Sequence, residues 1–365
     1  MAYLGNTFKI NEFYTKSFVV ENNNMINNWF STFYKKNIGV KRIALTFTML
    51  IAGFTGFSQD AQFTQFYASP LYLAPSYAGG IPGQRVVANY RNQWSMIPGT
   101  FQTYSLSYDH NFINFKSGLG LLLLSDIAGD GKMGKTMAGL MYSYDITPHP
   151  DFHIRPGIGF YYVQQSIDYT RLIFGDQLTS DPMPPSSIQP PGVGAIREID
   201  VSTSVLGYSD NLWLGATWDH MLRPKQTFYN DEDARTPFKI SVYGGARFVL
   251  KGFIMRPIEE SITTAFNLKF MGDYKQLDLG LYWYHQPFLF GAWYRGIPLV
   301  KEYPGTDAVA FLFGYKHDQY SFAYSYDFTL SRLGFGSGGS HELAVSFTFK
   351  VKTKKRYRAL PCPAF

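Results

Sequence analysis

The chain has 365 residues, 45% hydrophobic and 18% aromatic, with 32 Phe, 27 Tyr and 34 Gly. So aromatic a composition excludes a disordered chain, and the single cysteine excludes an intramolecular disulfide framework. Lys+Arg number 33 against 27 Asp+Glu, a formal net charge of +6, but the excess is local. Lys9, Lys16, Lys35, Lys36, Lys41 and Arg42 lie ahead of residue 59, and Lys350, Lys352, Lys354, Lys355, Arg356 and Arg358 lie in the tail, so the stretch between is acidic on balance. A nucleic-acid-binding domain would spread its basic residues over a folded face, so no nucleic acid is expected.

In chain order, residues 1–34 come first and are assigned no structure; an overcalled start of translation accounts for them. The one long apolar run follows, in KKNIGVKRIALTFTMLIAGFTGFSQD. Lys35, Lys36, Lys41 and Arg42 form a basic n-region, Ile43 to Phe54 an apolar h-region, and Gly56-Phe57-Ser58 a small-residue cleavage site. This is the pattern of a secretory signal peptide over 35–58, cut before Gln59. The competing assignment is a transmembrane anchor, for which the run is short.

From Gln84 onward, apolar residues recur with period two. Tyr104, Leu106 and Tyr108 alternate with Ser105, Ser107 and Asp109. Leu140, Tyr142 and Tyr144 share a face, as do Leu277, Leu279, Leu281 and Trp283. Val309, Phe311, Phe313 and Tyr315 form another such face, and Tyr320, Phe322, Tyr324, Tyr326 and Phe328 another. In a soluble sandwich the outer faces would carry many charges. Here the second face is mostly Gly, Ser, Ala and Thr, and only 16% of the chain is charged. Long aromatic faces opposite small polar ones suit a barrel in lipid, with Tyr and Trp near the interfaces. An export signal with no later apolar helix agrees, since only helices and closed barrels satisfy their backbones in lipid.

The spacing predicts an all-β fold: a transmembrane antiparallel β-barrel of the outer-membrane type, with about 14 strands over 59–352 and a basic periplasmic tail over 353–365. The strands are expected near 84–93, 100–109, 118–127, 135–146, 152–166, 197–207, 210–219, 236–250, 261–272, 275–285, 287–297, 306–317, 318–328 and 341–352. An even count puts both termini on one side, the periplasmic one. It also places the connections 167–196, 220–235, 298–305 and 329–340 outside and the tight turns inside. Pro182, Pro184, Pro185, Pro190 and Pro191 make the 167–196 connection a stiff, irregular loop. Residues 251–260 are long for an inner turn.

Several motifs invite chemistry. Gly129 to Thr136 fits G-x-x-x-x-G-K-[ST], but the phosphate cradle needs a helix after it. Met137–Asp145 alternates as a strand, so a Gly-rich hairpin turn is expected. Asp126 to Lys132 is a calcium-loop fragment lacking its closing glutamate. Seven histidines show no metal-ligand spacing; His149 and His153 straddle a proline turn. Asp219-His220 could join a hydrolytic site at the outer rim, yet no serine or acidic partner can be placed beside it. No catalytic, cofactor or metal site is assigned. SYDH (107–110), YSYDI (142–146) and YSYDF (324–328) recur too irregularly for a solenoid. They are expected at strand ends, with each aspartate turned into the lumen.

The ordered blocks QDAQFTQFYASPLYLAPSYAGG, VVANYRNQW, FQTYSLSYDH, GLGLLLLSDIAGDGKMG, RPGIGFYYVQQSIDYTRLIFGDQL, GYKHDQYSFAYSYDFTLSRLG, GSHELAVSF and the ending PCPAF span the whole expected mature chain. Together they resemble the PorP/SprF family of outer-membrane proteins, which belongs to the type IX secretion and gliding machinery of the Bacteroidetes. The resemblance implies a non-enzymatic outer-membrane barrel without cofactor. Such a barrel supports secretion or surface attachment of cargo such as gliding adhesins and contacts periplasmic ring or motor proteins. It transfers no residue-level motif. The alternative is a passive porin or small-molecule transporter, and a plugged lumen would favour a scaffold over a pore.

The basic tail leaves three readings: a solvated end, a barrel-assembly signal using Phe365, or a docking site for periplasmic partners. In the docking reading Lys350, Lys352, Lys354, Lys355, Arg356 and Arg358 carry the contact, and Cys362 is a small packed residue.

Overall fold

A computed structural model of the protein describes residues 60–174, 177, 187, 192–228, 234–252, 258–296, 308–330 and 335–349. The expected signal peptide over 35–58, the five prolines of the 167–196 connection and the basic tail lie outside the described residues.

Fifteen strands follow in chain order: β1 (Gln84–Gln93), β2 (Phe101–Phe112), β3 (Ser117–Ala128), β4 (Met133–Tyr144), β5 (Ile146–His149), β6 (Phe152–Ser166), β7 (Ala195–Tyr208), β8 (Leu212–Asp219), β9 (Lys239–Lys251), β10 (Glu260–Met271), β11 (Tyr274–His285), β12 (Phe288–Arg295), β13 (Ala308–His317), β14 (Tyr320–Thr329) and β15 (Ser340–Phe349). All described pairings are antiparallel. β1 pairs with both β2 and β15, and β4 pairs directly with β6. β5 is a four-residue spur on β6, so the closed wall has fourteen strands. Closure leaves no edge, which a sheet in lipid requires.

The alternation sorts as expected. Tyr104, Leu106, Tyr108, Leu140, Tyr142, Leu281, Trp283, Phe311, Phe313 and Val345 stand exposed on the outer face, while Thr103, Ser105, Ser107, Ser143, Ser325 and Ser346 are buried inside. Neighbouring outer rings meet stacked or tilted, as in Trp283–Phe290 (5.7 Å) and Tyr320–Phe347 (4.8 Å). The four longest connections, 167–194, 220–238, 296–307 and 330–339, share one end of the barrel. At the opposite end the turns 209–211, 286–287 and 318–319 are tight.

Residues 60–83 do not join the wall. They run through the lumen as two 3-10 turns, Phe66–Ala68 and Pro75–Tyr77, on either side of the single helical turn α1 (Pro70–Leu73). Nearly every side chain from Phe63 to Ala78 is buried. The wall is cut to fit them: a Cβ on Gly118 would stand 2.0 Å from the Ala78 carbonyl oxygen, and one on Gly157 2.3 Å from the Ser76 nitrogen. Proline at the start of α1 and of the Pro75–Tyr77 turn presets φ and needs no amide partner there.

Candidate functional site: a lumen filled by the chain's own segment

Three groups of wall side chains hold the lumen segment. Towards the long-loop end, Glu342 of β15 is 0% exposed and accepts hydrogen bonds from two successive amides, Thr64 N (2.7 Å) and Gln65 N (2.9 Å). Arg91 of β1 bridges Glu342 (3.0 Å) and Asp327 of β14 (2.8 Å). The Thr64 hydroxyl donates to Asp327 and accepts from Arg91 and from Arg295 of β12 (2.8 Å). A buried ion pair is costly unless its remaining polar atoms are satisfied, and Thr64 and Gln65 supply much of that satisfaction.

The second group surrounds Asp60. Its carboxylate takes Lys135 Nζ of β4 at 2.7 Å, His220 Nε2 at 2.8 Å and Lys239 Nζ of β9 at 3.1 Å. His220 follows β8 with φ near +60°, and its other nitrogen meets Asp200 of β7 at 2.6 Å. Carboxylates on both ring nitrogens require the doubly protonated imidazolium. Burial alone would lower the His220 pKa; the Asp60 charge and the hydrogen bonds to Asp200 and Asp60 outweigh it and raise it to about 9. Burial likewise pushes Asp60 up, but His220, Lys135 and Lys239 together hold it well below the usual carboxylate range. Beside them lies a cavity of about 40 Å³, lined by Tyr72, Asp200 and Asp219 together with apolar Leu122, Leu124 and Met137, with room for water.

The third group lies towards the short-turn end. Asp109 of β2 pairs with Arg85 of β1 (2.9 Å) and accepts from Gly79 N (3.1 Å). The Ala78 carbonyl accepts from Ser143 Oγ (2.7 Å) and Arg155 Nη2 (2.6 Å). Between the groups the contacts are aromatic. Phe66 meets Trp293 at 4.8 Å, Tyr67 meets Trp213 at 5.8 Å, and the Trp213 indole donates to the Tyr67 hydroxyl (3.1 Å).

The tyrosine–aspartate repeats acquire a role here. Asp109, Asp145 and Asp327 are 1%, 5% and 2% exposed, all turned inward as expected. Asp109 and Asp327 contact the segment directly, and Asp145 sits 3.9 Å from Arg155, which does so. Each repeat thus places an acid beside an arginine that grips or frames the lumen segment.

The other motifs resolve as geometry. Gly129–Lys132 is the β3–β4 turn, with Gly129 and Lys132 at positive φ, and a strand rather than a helix follows. Asp126 accepts from Thr103 Oγ1 (2.6 Å). His149 is exposed at the end of β5, whereas His153 is turned inward, 3.0 Å from Asp145 and stacked on Tyr208. They do not converge. His220, for which the sequence offered no acidic partner, has two, and with both nitrogens engaged it has none left to draw a proton from a nucleophile. Lys350, Lys352, Lys354, Lys355, Arg356 and Arg358 lie outside the described residues. Asp60, Thr64, Arg91, Arg295 and Glu342 were not singled out from sequence. The available signal was charge on inward positions of otherwise small-polar faces, as in QRVVANYRNQ and HELAVSF.

The start of β1 and the end of β15 share the short-turn end. Residues 60–83 run from the long-loop end, where Asp60 meets Lys135, His220 and Lys239, to the short-turn end, where Gly83 enters β1.

Among solved structures, the chain is similar to the Acinetobacter baumannii outer membrane protein Omp33 (6% identity, 74% of this chain and 100% of that one, TM-score 0.43). It is also similar to the Pseudomonas putida toluene transporter TodX (10%, 80% and 94%, 0.44) and to the CymD monoaromatic hydrocarbon channel (9%, 78% and 94%, 0.44). No curated protein matches the sequence. Residues 55–347 match the family described as type IX secretion system membrane protein PorP/SprF. The chain belongs to that family, and its barrel is a membrane protein of the type IX secretion class.

Proposed function

We propose that this barrel is a non-enzymatic scaffold of the type IX secretion system, not a pore. It sits in the outer membrane with the long-loop end outward and supports secretion or surface attachment of cargo such as a gliding adhesin. It contacts periplasmic components of the machine from the short-turn end. The observation that carries the choice of scaffold over porin is the occupied lumen: residues 60–83 fill it through buried charge pairs and edge-to-face rings. A diffusion pore needs an open aqueous path.

Single-channel recording of the purified protein in a planar bilayer tests this. The scaffold reading expects no sustained conductance at neutral pH, and a stable open channel would favour the porin. Deletion of the gene should leave cargo inside the cell or shed from its surface; unchanged cargo secretion and display would reject the scaffold role.

A further inference from the structure

Residues 60–83 are attached to the barrel as a ligand is attached to a receptor. Among the described residues, the segment makes one backbone-to-backbone hydrogen bond to the wall, Asn111 N to Gly83 O (2.8 Å), at the point where it enters β1. Every other polar tie runs through a side chain. No strand pairing holds it in the sheet.

The wall side of the site is self-supporting. Arg91–Asp327, Arg91–Glu342, Arg85–Asp109, His220–Asp200 and Lys239–Asp219 are all contacts between wall or loop residues. Tyr282 and Trp293 pack on each other at 5.4 Å. Withdrawal of the segment would leave these partners in place. It would also leave specific demands unmet. Lys135 would lose its carboxylate, Glu342 would lose two amide donors, and Trp213 and Trp293 would lose the rings of Tyr67 and Phe66. Unmet demand in a buried, preformed site is what selects a ligand.

We propose that the lumen is a peptide-binding site whose resident occupant, residues 60–83, is displaceable. The ligand it takes carries a carboxylate for the Lys135–His220–Lys239 cluster. Two free backbone amides face Glu342, and a pair of adjacent aromatic residues then meets Trp213 and Trp293. The narrow channel beside Gly118 and Gly157 requires the remainder to be small or helical-turn backbone, as Pro75–Ala78 is. The proposal does not depend on the secretion role, and its test involves no cargo.

The test uses the full-length barrel in lipid nanodiscs and a dye-labelled synthetic peptide spanning residues 60–79. Wild-type protein should exchange its resident segment slowly. Asp60→Asn, which weakens only the resident segment, should increase peptide uptake by about tenfold, and Tyr67→Ala should do the same through the aromatic contact. A peptide carrying Asn at its first position should compete about tenfold less well than the native one. In a Cys362→Ser background, a disulfide between Ser76→Cys and Ser204→Cys, whose parent residues are hydrogen-bonded at 2.8 Å, should lock the segment and abolish uptake. Heat-modifiable migration confirms a folded barrel in each case. Absence of uptake by both loosened variants overturns the proposal, and equal uptake by the locked protein overturns it by placing the peptide elsewhere.

Discussion

Among the described residues, Asp60 and His220 form the clasp of the lumen segment in which both partners titrate and neither belongs to a strand. Five other charged groups act on them: Asp126 from β3, Lys135 from β4, Asp200 from β7, Asp219 from β8 and Lys239 from β9. The phenols of Tyr72 and Tyr161 also line the cavity. His220 is raised from 6.5 to about 9, so its contribution is full below about 6.5 and is lost as pH climbs through about 9. Asp60 is depressed below 3.8, so its contribution is full above that value and is lost as pH falls through the folded one. The segment should therefore be held best between about pH 4 and 6.5, weaken steadily towards 9, and loosen again in strong acid. Protection of residues 60–83 from protease across this range, at constant barrel migration, checks it. A flat profile from pH 6 to 10 would mean that His220 is not the holding group. Arg91 carries a different expectation. Arg91→Met strands the buried carboxylates of Asp327 and Glu342 and should cost about 3–5 kcal/mol, read as a lower urea midpoint for the heat-modifiable band. Glu342→Gln keeps an acceptor oxygen for only one of the amides of Thr64 and Gln65, but it leaves no unpaired buried charge and should be milder.

At the scale of elements, β15 tests which face meets lipid. Val345 is exposed near the middle of the strand, Phe347 is partly covered by Tyr320 and Phe349, and Ser346 is 2% exposed inside. A charge at the bilayer midplane of a barrel costs about 2–4 kcal/mol, less near the interfaces. Val345→Arg should therefore reduce the folded fraction more than Phe347→Arg does. Ser346→Arg is mild only in a wet lumen; in this filled one it should also be damaging, while Ser346→Ala should be neutral. If both outward arginines are tolerated in lipid vesicles, the outer face is not lipid-exposed. The strands were legible because period two is a local signal that most of the wall obeys, the Phe248–Lys251 end of β9 excepted; β1 and β6 begin and end where the alternation predicts. The lumen segment was not. QFTQFYASPLYLAPSYAGG has no sustained period, because its structure is set by distant partners: Thr64 with Glu342, Tyr67 with Trp213, Ser76 with Ser204. Asp200 beside His220 was hidden for the same reason, lying twenty residues away across two strands.

For the whole molecule, the question is how a barrel whose lumen is occupied by its own segment takes part in secretion. A closed wall with an occupied lumen offers partners only its two ends and its lipid-facing girdle. β15 runs towards the short-turn end, where β1 begins, and the basic run Lys350, Lys352, Lys354, Lys355, Arg356 and Arg358 follows it directly in sequence. With no acidic residue after Lys350, that run can find its counter-charge only elsewhere in the chain or on another molecule. A docking tail would speed encounter with an acidic periplasmic surface in a salt-dependent way. Truncation after Lys352 separates the alternatives. Docking predicts a barrel that still folds by heat-modifiable migration but no longer co-purifies periplasmic components and no longer secretes cargo. Replacing the basic residues by Gln should reproduce the loss, and raising salt should reproduce the loss of co-purification in extracts. Normal secretion by the truncated protein would make the tail a solvated end. A barrel that fails to assemble would instead make Phe365 and its neighbours an assembly signal, and either result removes the docking role.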